Sequence, residues 1–354
     1  MSSSLIPYNK SSALPPFGFN NLGATCYFNA VLQSLLSCTS FIDELLQKNN
    51  RNIYNKNPVA KLIIELIETA IYYEDLQTLK KFDKFTESVD DVSQKIINKF
   101  TESLDDPSII ATIVDTKAKL NNYSPQIWHQ MVNNLCHVKK IPVQSFMQGQ
   151  QCAGEGYNYL LESMEELNII QNLFIHRYKS LIHCFTCDKW VSNVDCIYNI
   201  FDVEPNLQSE QIEQFRHYHI QTANMNEFLS KQTGYVDKDY ICPECKGSGE
   251  KYRMTVLVMV PEILVVMSKK YTVDQKLDVY TEFPEQMVFK GNNNNMIYDA
   301  VAQIEHSGGK NGGHYWAICK RKNGWFNIND VTVTPSTFQP TKNTYIVFYH
   351  LNSQ

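Results

Sequence analysis

The sequence predicts an α+β protein whose helices and strands are segregated along the chain instead of alternating as βαβ units. In the first half, apolar residues recur at helical spacing: Val31, Leu32, Leu35 and Leu36, then Leu62, Ile63, Leu66, Ile67 and Ile71. In the second half the apolar residues fall in short β-branched and aromatic runs, such as 254–260, 263–267 and 345–349. A third observation sits inside that strand-rich half: two Cys-x-x-Cys pairs, Cys184-Phe-Thr-Cys187 and Cys242-Pro-Glu-Cys245.

The elements follow in order. Residues 1–14 are polar and serine-rich and are expected to form a poorly ordered tail. A glycine-containing turn, 18–25, leads into a helical pattern that starts at or just after Cys26. Residues 59–73 read as an amphipathic helix. Lys84-Phe-Thr-Glu-Ser-Val-Asp-Asp91 recurs as Lys99-Phe-Thr-Glu-Ser-Leu-Asp-Asp106. Two copies are too few for a solenoid and are read as a local duplication in a charged helical insert. Residues 157–167 look helical, and strands are expected from Phe174 onward. Residues 205–240 are polar and mixed, and 274–290 form a looser segment. The chain then closes with strands at 301–305, 314–320, 325–328 and 345–349.

Composition narrows the class of function. The 354 residues are 43% hydrophobic and 19% charged, enough for a substantial core. A net charge of -5 and a pI near 6.0 argue against nucleic acid or an anionic membrane as main partner. No apolar run approaches the roughly 20 residues of a membrane span, and no secretory signal is visible at the start. Ten cysteines are too sparse for a disulfide scaffold. With four of them paired by spacing, they fit an intracellular, reducing compartment, cytoplasmic or nuclear.

The chemistry begins at Cys26. A helix N-terminus favours thiolate over thiol, and a thiolate is the nucleophile of cysteine hydrolases. The competing reading is a buried cysteine acting as a small hydrophobe. A nucleophilic cysteine needs a base and the base an orienting partner. His314, in Gly312-Gly313-His314-Tyr315-Trp316, is the strongest base candidate, mounted on a strand after two glycines that allow close backbone approach to a ligand. Asn329 and Asp330 close the strand at 324–328 and are both candidates for orienting the imidazole. An oxyanion needs donors: the Cys26 amide is one, and the Asn21 side chain is another or else a turn-former.

The two Cys-x-x-Cys pairs supply four thiolates, the ligand set of one closed, structural, tetrahedral Zn2+. The 54 residues between them (188–241) exceed a compact zinc ribbon, so a long excursion must leave and return. A redox dithiol or four unrelated buried thiols are the rival readings. His183, His217 and His219 show no comparable arrangement.

Taken together, these motifs resemble the ubiquitin-specific protease family of deubiquitinating cysteine proteases. Residues 18–29, continuing to Leu32-Gln33, look like its Cys box; residues 306–315, continuing to 325–330 and Val333-Thr-Pro335, look like its His box. The last strand at 345–349, the strand-like 261–271 and the two cysteine pairs fit its order as well.

The resemblance implies a papain-like, hand-shaped α+β fold in one catalytic domain, 15–354. The thumb would span roughly 15–170, the zinc-bearing fingers roughly 175–260 and the palm the remainder from 261. It implies Cys26 as nucleophile, His314 as general base and acid, Asn329 as third triad member, Asn21 as oxyanion residue and Asp330 in support. Cys184, Cys187, Cys242 and Cys245 would hold zinc. The implied reaction is hydrolysis after the C-terminal Gly-Gly of ubiquitin, with ubiquitin and ubiquitinated proteins as partners and a monomeric enzyme. The alternatives are a non-catalytic ubiquitin-binding scaffold and a protease for another ubiquitin-like modifier. The sequence departs from the family at Gln150-Gln-Cys-Ala-Gly-Glu-Gly156, where Cys152 replaces an Asp that helps bind the ubiquitin tail and Gly156 replaces a Phe. Segment 74–125 has no clear counterpart.

Overall fold

A computed structural model describes residues 13–47, 51–82, 107–138, 140–143, 146, 151–203, 234–237, 240–272, 274–290, 295–310 and 312–352. The first twelve residues of the expected tail, the duplicated octapeptides, Gln150, and 205–233 with His217 and His219 lie outside them. The chain divides into two compact units, residues 1–164 with 314–337 and residues 165–313 with 338–354. Among the described residues, no helix is long and apolar enough to cross a membrane.

The first unit is built on α1 (Cys26–Leu35), whose ten residues are all buried. A helix buried on every side is a core element, and its polar side chains then need partners. Gln33 Nε2 donates to the Phe17 carbonyl at 2.8 Å, and Ser34 Oγ donates to the Ala30 carbonyl at 2.8 Å. Around α1 lie α2 (Thr39–Leu46), α3 (Arg51–Tyr54), the long α4 (Pro58–Phe82) and α5 (Pro107–Val138), and α6 (Ala153–Glu162). The helix expected at 59–73 is thus longer, running from Pro58 to Phe82. The α4–α5 pair buries Ile63, Ile67, Leu120, Ile127 and Met131.

Three antiparallel strands complete this unit: β9 (Gly312–Arg321, from His314 on), β10 (Gly324–Asn329) and β11 (Thr332–Ser336). Buried Arg321 ties β9 to the end of α1. The last carbonyls of a helix lack intrahelical donors. Here Leu36, Ser37 and Cys38 N–H groups satisfy those of Leu32, Ser34 and Leu35. Arg321 Nη2 donates to the remaining one, Gln33, at 2.9 Å and to Gln33 Oε1 at 2.6 Å, while Nη1 donates to Ser37 Oγ.

The second unit opens with a short 3-10 turn (Glu165–Leu167) and α7 (Ile169–Leu173). Strands β1 (His176–Cys184), β2 (Lys189–Tyr198), β4 (Gly234–Asp237) and β5 (Lys251–Met259) form a sheet in the order β2-β1-β5-β4. A second group of strands runs β8-β12-β6-β3, from β3 (Phe201–Val203), β6 (Ile263–Ser268), β8 (Asn295–Gly309) and β12 (Thr344–Leu351), with β7 (Gln286–Lys290) also paired to β8. Val265, Val266, Ile304, Ile346, Val347 and Phe348 form the buried centre of that group.

Candidate active site

Cys26 is the first residue of α1 and is buried. The turn before it is organised by Asn21. Its Oδ1 accepts from Gly23 N–H at 2.9 Å, Thr25 N–H at 3.1 Å and Thr25 Oγ1 at 3.2 Å. Its Nδ2 donates to Asp330 Oδ2 at 3.0 Å. The carbonyl end of Asn21 therefore builds the turn, and the amino end reaches outward with one of its two N–H groups engaged.

His314 stands in β9, half-buried, its ring stacked on Trp316 with centroids 6.2 Å apart. Its Nε2 lies 2.6 Å from Asn329 Oδ1, at the end of β10. An amide oxygen only accepts, so this contact places the imidazole proton on Nε2 and leaves the lone pair on Nδ1. The same Nε2 is 4.0 Å from Asp330 Oδ2. Strand pairing explains why the two side chains meet: Ile328, beside Asn329, sits opposite Ala317 in the register, three residues from His314.

Asp330 has a left-handed backbone, φ 49°, which turns its carboxylate back toward the α1 turn. Besides Asn21, it accepts from Asn29 Nδ2 at 2.8 Å through Oδ1. Its carbonyl accepts from Phe19 N–H at 2.9 Å. That crossing demands Gly18, where an added Cβ would lie 2.3 Å from the Asp330 carbonyl oxygen. The structure thus brings Asn21, His314, Asn329 and Asp330 into one bonded group and joins it to the segment that carries Cys26.

Two glycines near the site are required by close packing. At Gly313 an added Cβ would lie 2.2 Å from the Ser307 carbonyl oxygen, so its own chain requires the glycine. Gly156 is required by packing, since a Cβ there would lie 2.7 Å from the Tyr27 ring. Tyr27 accepts from Trp128 Nε1 at 2.9 Å, and burial pushes its hydroxyl up to about 12. Cys152, just before α6, makes no side-chain cap bond to that helix.

Residues outside the sequence-derived set also belong to this group. Buried Asn29 bridges Asp330 and Asn20, and buried Ser124 donates to Asn29 Oδ1 at 2.6 Å. The available signal was Pro125 inside a helical pattern, which marks a place where the helix must bond elsewhere.

In the second unit, Cys184, Cys187, Cys242 and Cys245 place all four Sγ atoms within 4.8 Å of one another. Cys184–Cys245 and Cys187–Cys242 are each 3.8 Å apart. Tetrahedral Zn2+ with Zn–S near 2.3 Å requires sulfur–sulfur edges of about 3.8 Å, so the group fits the ion. The long excursion returns because β5 pairs with β1, setting Lys251 opposite Cys184. Each pair forms a tight turn; in the second, Lys246 N–H donates to the Cys242 carbonyl at 2.9 Å. Backbone N–H groups of Cys187 and Thr186 bond Cys184 Sγ and pull its thiol pKa down. His183 lies outside the four-sulfur set and pairs with Asp188 at 3.2 Å.

A family model described as ubiquitin carboxyl-terminal hydrolase matches residues 17–349. Ubiquitin carboxyl-terminal hydrolase 12 of Salmo salar is 24% identical over 360 residues, covering 96% of this chain and 85% of that protein. Human ubiquitin carboxyl-terminal hydrolase 2 is 24% identical over 364 residues, and this chain spans only 56% of its length. Among solved structures, a chain of the SAGA DUB module of Ubp8, Sgf11, Sus1 and Sgf73 bound to monoubiquitin matches with a TM-score of 0.64 at 16% identity. That match covers 99% of this chain and 72% of the other. The same module bound to ubiquitin aldehyde matches with a TM-score of 0.63. These likenesses show a shared fold, the papain-like α+β fold expected from the motifs.

Proposed function

Because this chain belongs to the ubiquitin carboxyl-terminal hydrolase family, we propose that it is a deubiquitinating thiol protease acting on the isopeptide or peptide bond after the C-terminal Gly-Gly of ubiquitin. The observation that carries the catalytic assignment is the 2.6 Å contact from His314 Nε2 to Asn329 Oδ1, which leaves Nδ1 as the basic nitrogen. Cys26 is the nucleophile, His314 the base and acid, and Asn329 the orienter.

His314 Nδ1 takes the proton of the Cys26 thiol, and the sulfur adds to the carbonyl carbon of the terminal glycine. The oxyanion receives the Cys26 backbone N–H and the second N–H of Asn21 Nδ2. The imidazolium returns its proton to the leaving amine as the C–N bond breaks, leaving a thioester. Water then adds to the thioester carbon as His314 Nδ1 takes one of its protons; the C–S bond breaks, that proton returns to the Cys26 sulfur, and ubiquitin leaves as an acid that ionises to the carboxylate in water. Asn329 holds the tautomer through both steps, and Asp330 holds the Asn21 turn beside it.

Cys184, Cys187, Cys242 and Cys245 are assigned to one structural Zn2+, which would use all four positions and leave none for substrate. When bound, the ion would supply folding free energy to the two turns that carry the cysteines and to β1 and β5 beside them. The neighbouring solved modules bound to monoubiquitin and ubiquitin aldehyde support ubiquitin conjugates as the substrate class.

The test is hydrolysis of ubiquitin carrying a C-terminal aminocoumarin. Fluorophore release is expected from the wild-type protein and none from Cys26→Ala. A folded, zinc-loaded wild type that releases nothing would remove this reading.

A further inference from the structure

Helix α5 carries a proline in its interior, Pro125. Proline has no N–H, so the carbonyl four residues back, that of Asn121, loses its helical donor. The Asn121 carbonyl instead accepts from the backbone N–H of Asn20 at 2.7 Å. The Asn20 side chain adds a second tie, donating to Asn122 Oδ1 at 2.7 Å. Asn20 directly precedes Asn21, so the defect in α5 is spent on holding the turn that leads to Cys26.

Ser124, one residue earlier, makes the other connection. A serine inside a helix usually bonds back to the carbonyl four residues before it. Buried Ser124 donates to Asn29 Oδ1 at 2.6 Å. This fixes which end of the Asn29 amide faces Asp330. Its Nδ2 donates to Asp330 Oδ1 at 2.8 Å and to the Asn20 carbonyl at 3.2 Å. A flipped amide would turn its oxygen against the carboxylate.

We infer that the Ser124-Pro125 step of α5 is a positioning element for the catalytic centre: Pro125 frees a carbonyl that docks the Cys26 turn, and Ser124 sets the amide that holds Asp330 beside Asn329. Neither residue touches the reacting atoms. The inference rests on the deubiquitinase reading for its kinetic consequence, and it gives a task to the end of the segment, 74–125, for which the motifs offered none.

The experiment compares wild type, Pro125→Ala, Ser124→Val and Ser124→Thr as the full chain. Turnover of ubiquitin-aminocoumarin gives kcat and KM, and amide hydrogen exchange gives protection at Asn20. Ser124→Val and Ser124→Thr have the same shape and differ in the hydroxyl; in the Val protein kcat is expected to fall about 10- to 100-fold with KM nearly unchanged, as for a misplaced catalytic group. Ser124→Thr keeps the hydroxyl and restores most of kcat. Pro125→Ala supplies a competing N–H, so Asn20 protection drops by about tenfold or more, as expected when an amide loses its bond. Equal kcat in Val and wild-type proteins, or Thr as poor as Val, overturns the inference. Unchanged Asn20 protection in Pro125→Ala overturns it whatever the activity. An inactive wild type with the Asn20 shift present overturns the deubiquitinase reading and leaves the docking intact.

Discussion

The group around His314 and the four-cysteine group are held by opposite means. Around His314, side chains do the holding. Asp330 bonds Asn21 and Asn29 across some 300 positions of sequence, and Ser124 sets the second of these. Around the cysteines, backbone does the holding: β1 and β5 run in register, and two tight turns present the sulfurs. The first arrangement depends on orientation, where one lost bond misaligns a charge or a lone pair. The second depends on ligand number, where one lost sulfur empties the site. Damage in the first should appear mainly as lost rate, and damage in the second as lost structure.

The largest effect belongs to the sulfurs. Structural zinc sites contribute about 10–16 kcal/mol of apparent binding free energy in small domains. Native protein is expected to carry one zinc per chain by metal analysis, and Cys242→Ser to carry none. The variant should also show cleavage by protease within 176–203 or 240–259 that wild type resists. Bound zinc retained at full occupancy would break the comparison.

Asn329→Ala comes next and should read out as rate. Removing the acceptor that fixes the His314 tautomer is expected to lower kcat by about 100-fold, within the range of general acid–base contributions. KM and Tm should hardly move. A KM rise with kcat retained would shift the orienting task to Asp330, whose Oδ2 is 4.0 Å from His314 Nε2.

A third effect, confined to acid pH, concerns stability in the strand-rich unit. His176, at the other end of β1 from Cys184, is buried against Tyr198 and Phe201, and burial pushes its pKa down to about 4. Its unfolded value is near 6.5. Between these values the unfolded chain binds the proton and the folded chain does not. Stability is therefore fully present above pH 6.5 and lost as pH falls toward 4, by about 3 kcal/mol. His176→Phe should flatten that limb in denaturant titrations at a series of pH values. An unchanged limb would assign it to other groups.

What could be read from the sequence divides along the same line. The start of α1 at Cys26 followed from the spacing of Val31, Leu32, Leu35 and Leu36, and the four sulfurs followed from local Cys-x-x-Cys spacing. Strands at 254–260, 263–267 and 345–349 correspond to β5, β6 and β12 within a few residues. The inner wiring was illegible because each bond joins residues far apart: Ser124 to Asn29, Asn29 to Asp330, Arg321 to Gln33. No local pattern announces such partners. Helix α5 begins in segment 74–125, for which the motifs offered no counterpart, and the carbonyl freed by its interior proline is bonded from outside the helix. Gly313 was legible as a close approach but not as an approach to its own chain.

The most direct test of the catalytic assignment is intact-mass and peptide mapping after incubation with ubiquitin bearing a C-terminal thiol-reactive electrophile. The account predicts one ubiquitin added per chain, attached at Cys26, with no addition to Cys26→Ala. Absence of adduct from folded wild-type protein, or attachment at Cys152 instead, would contradict it.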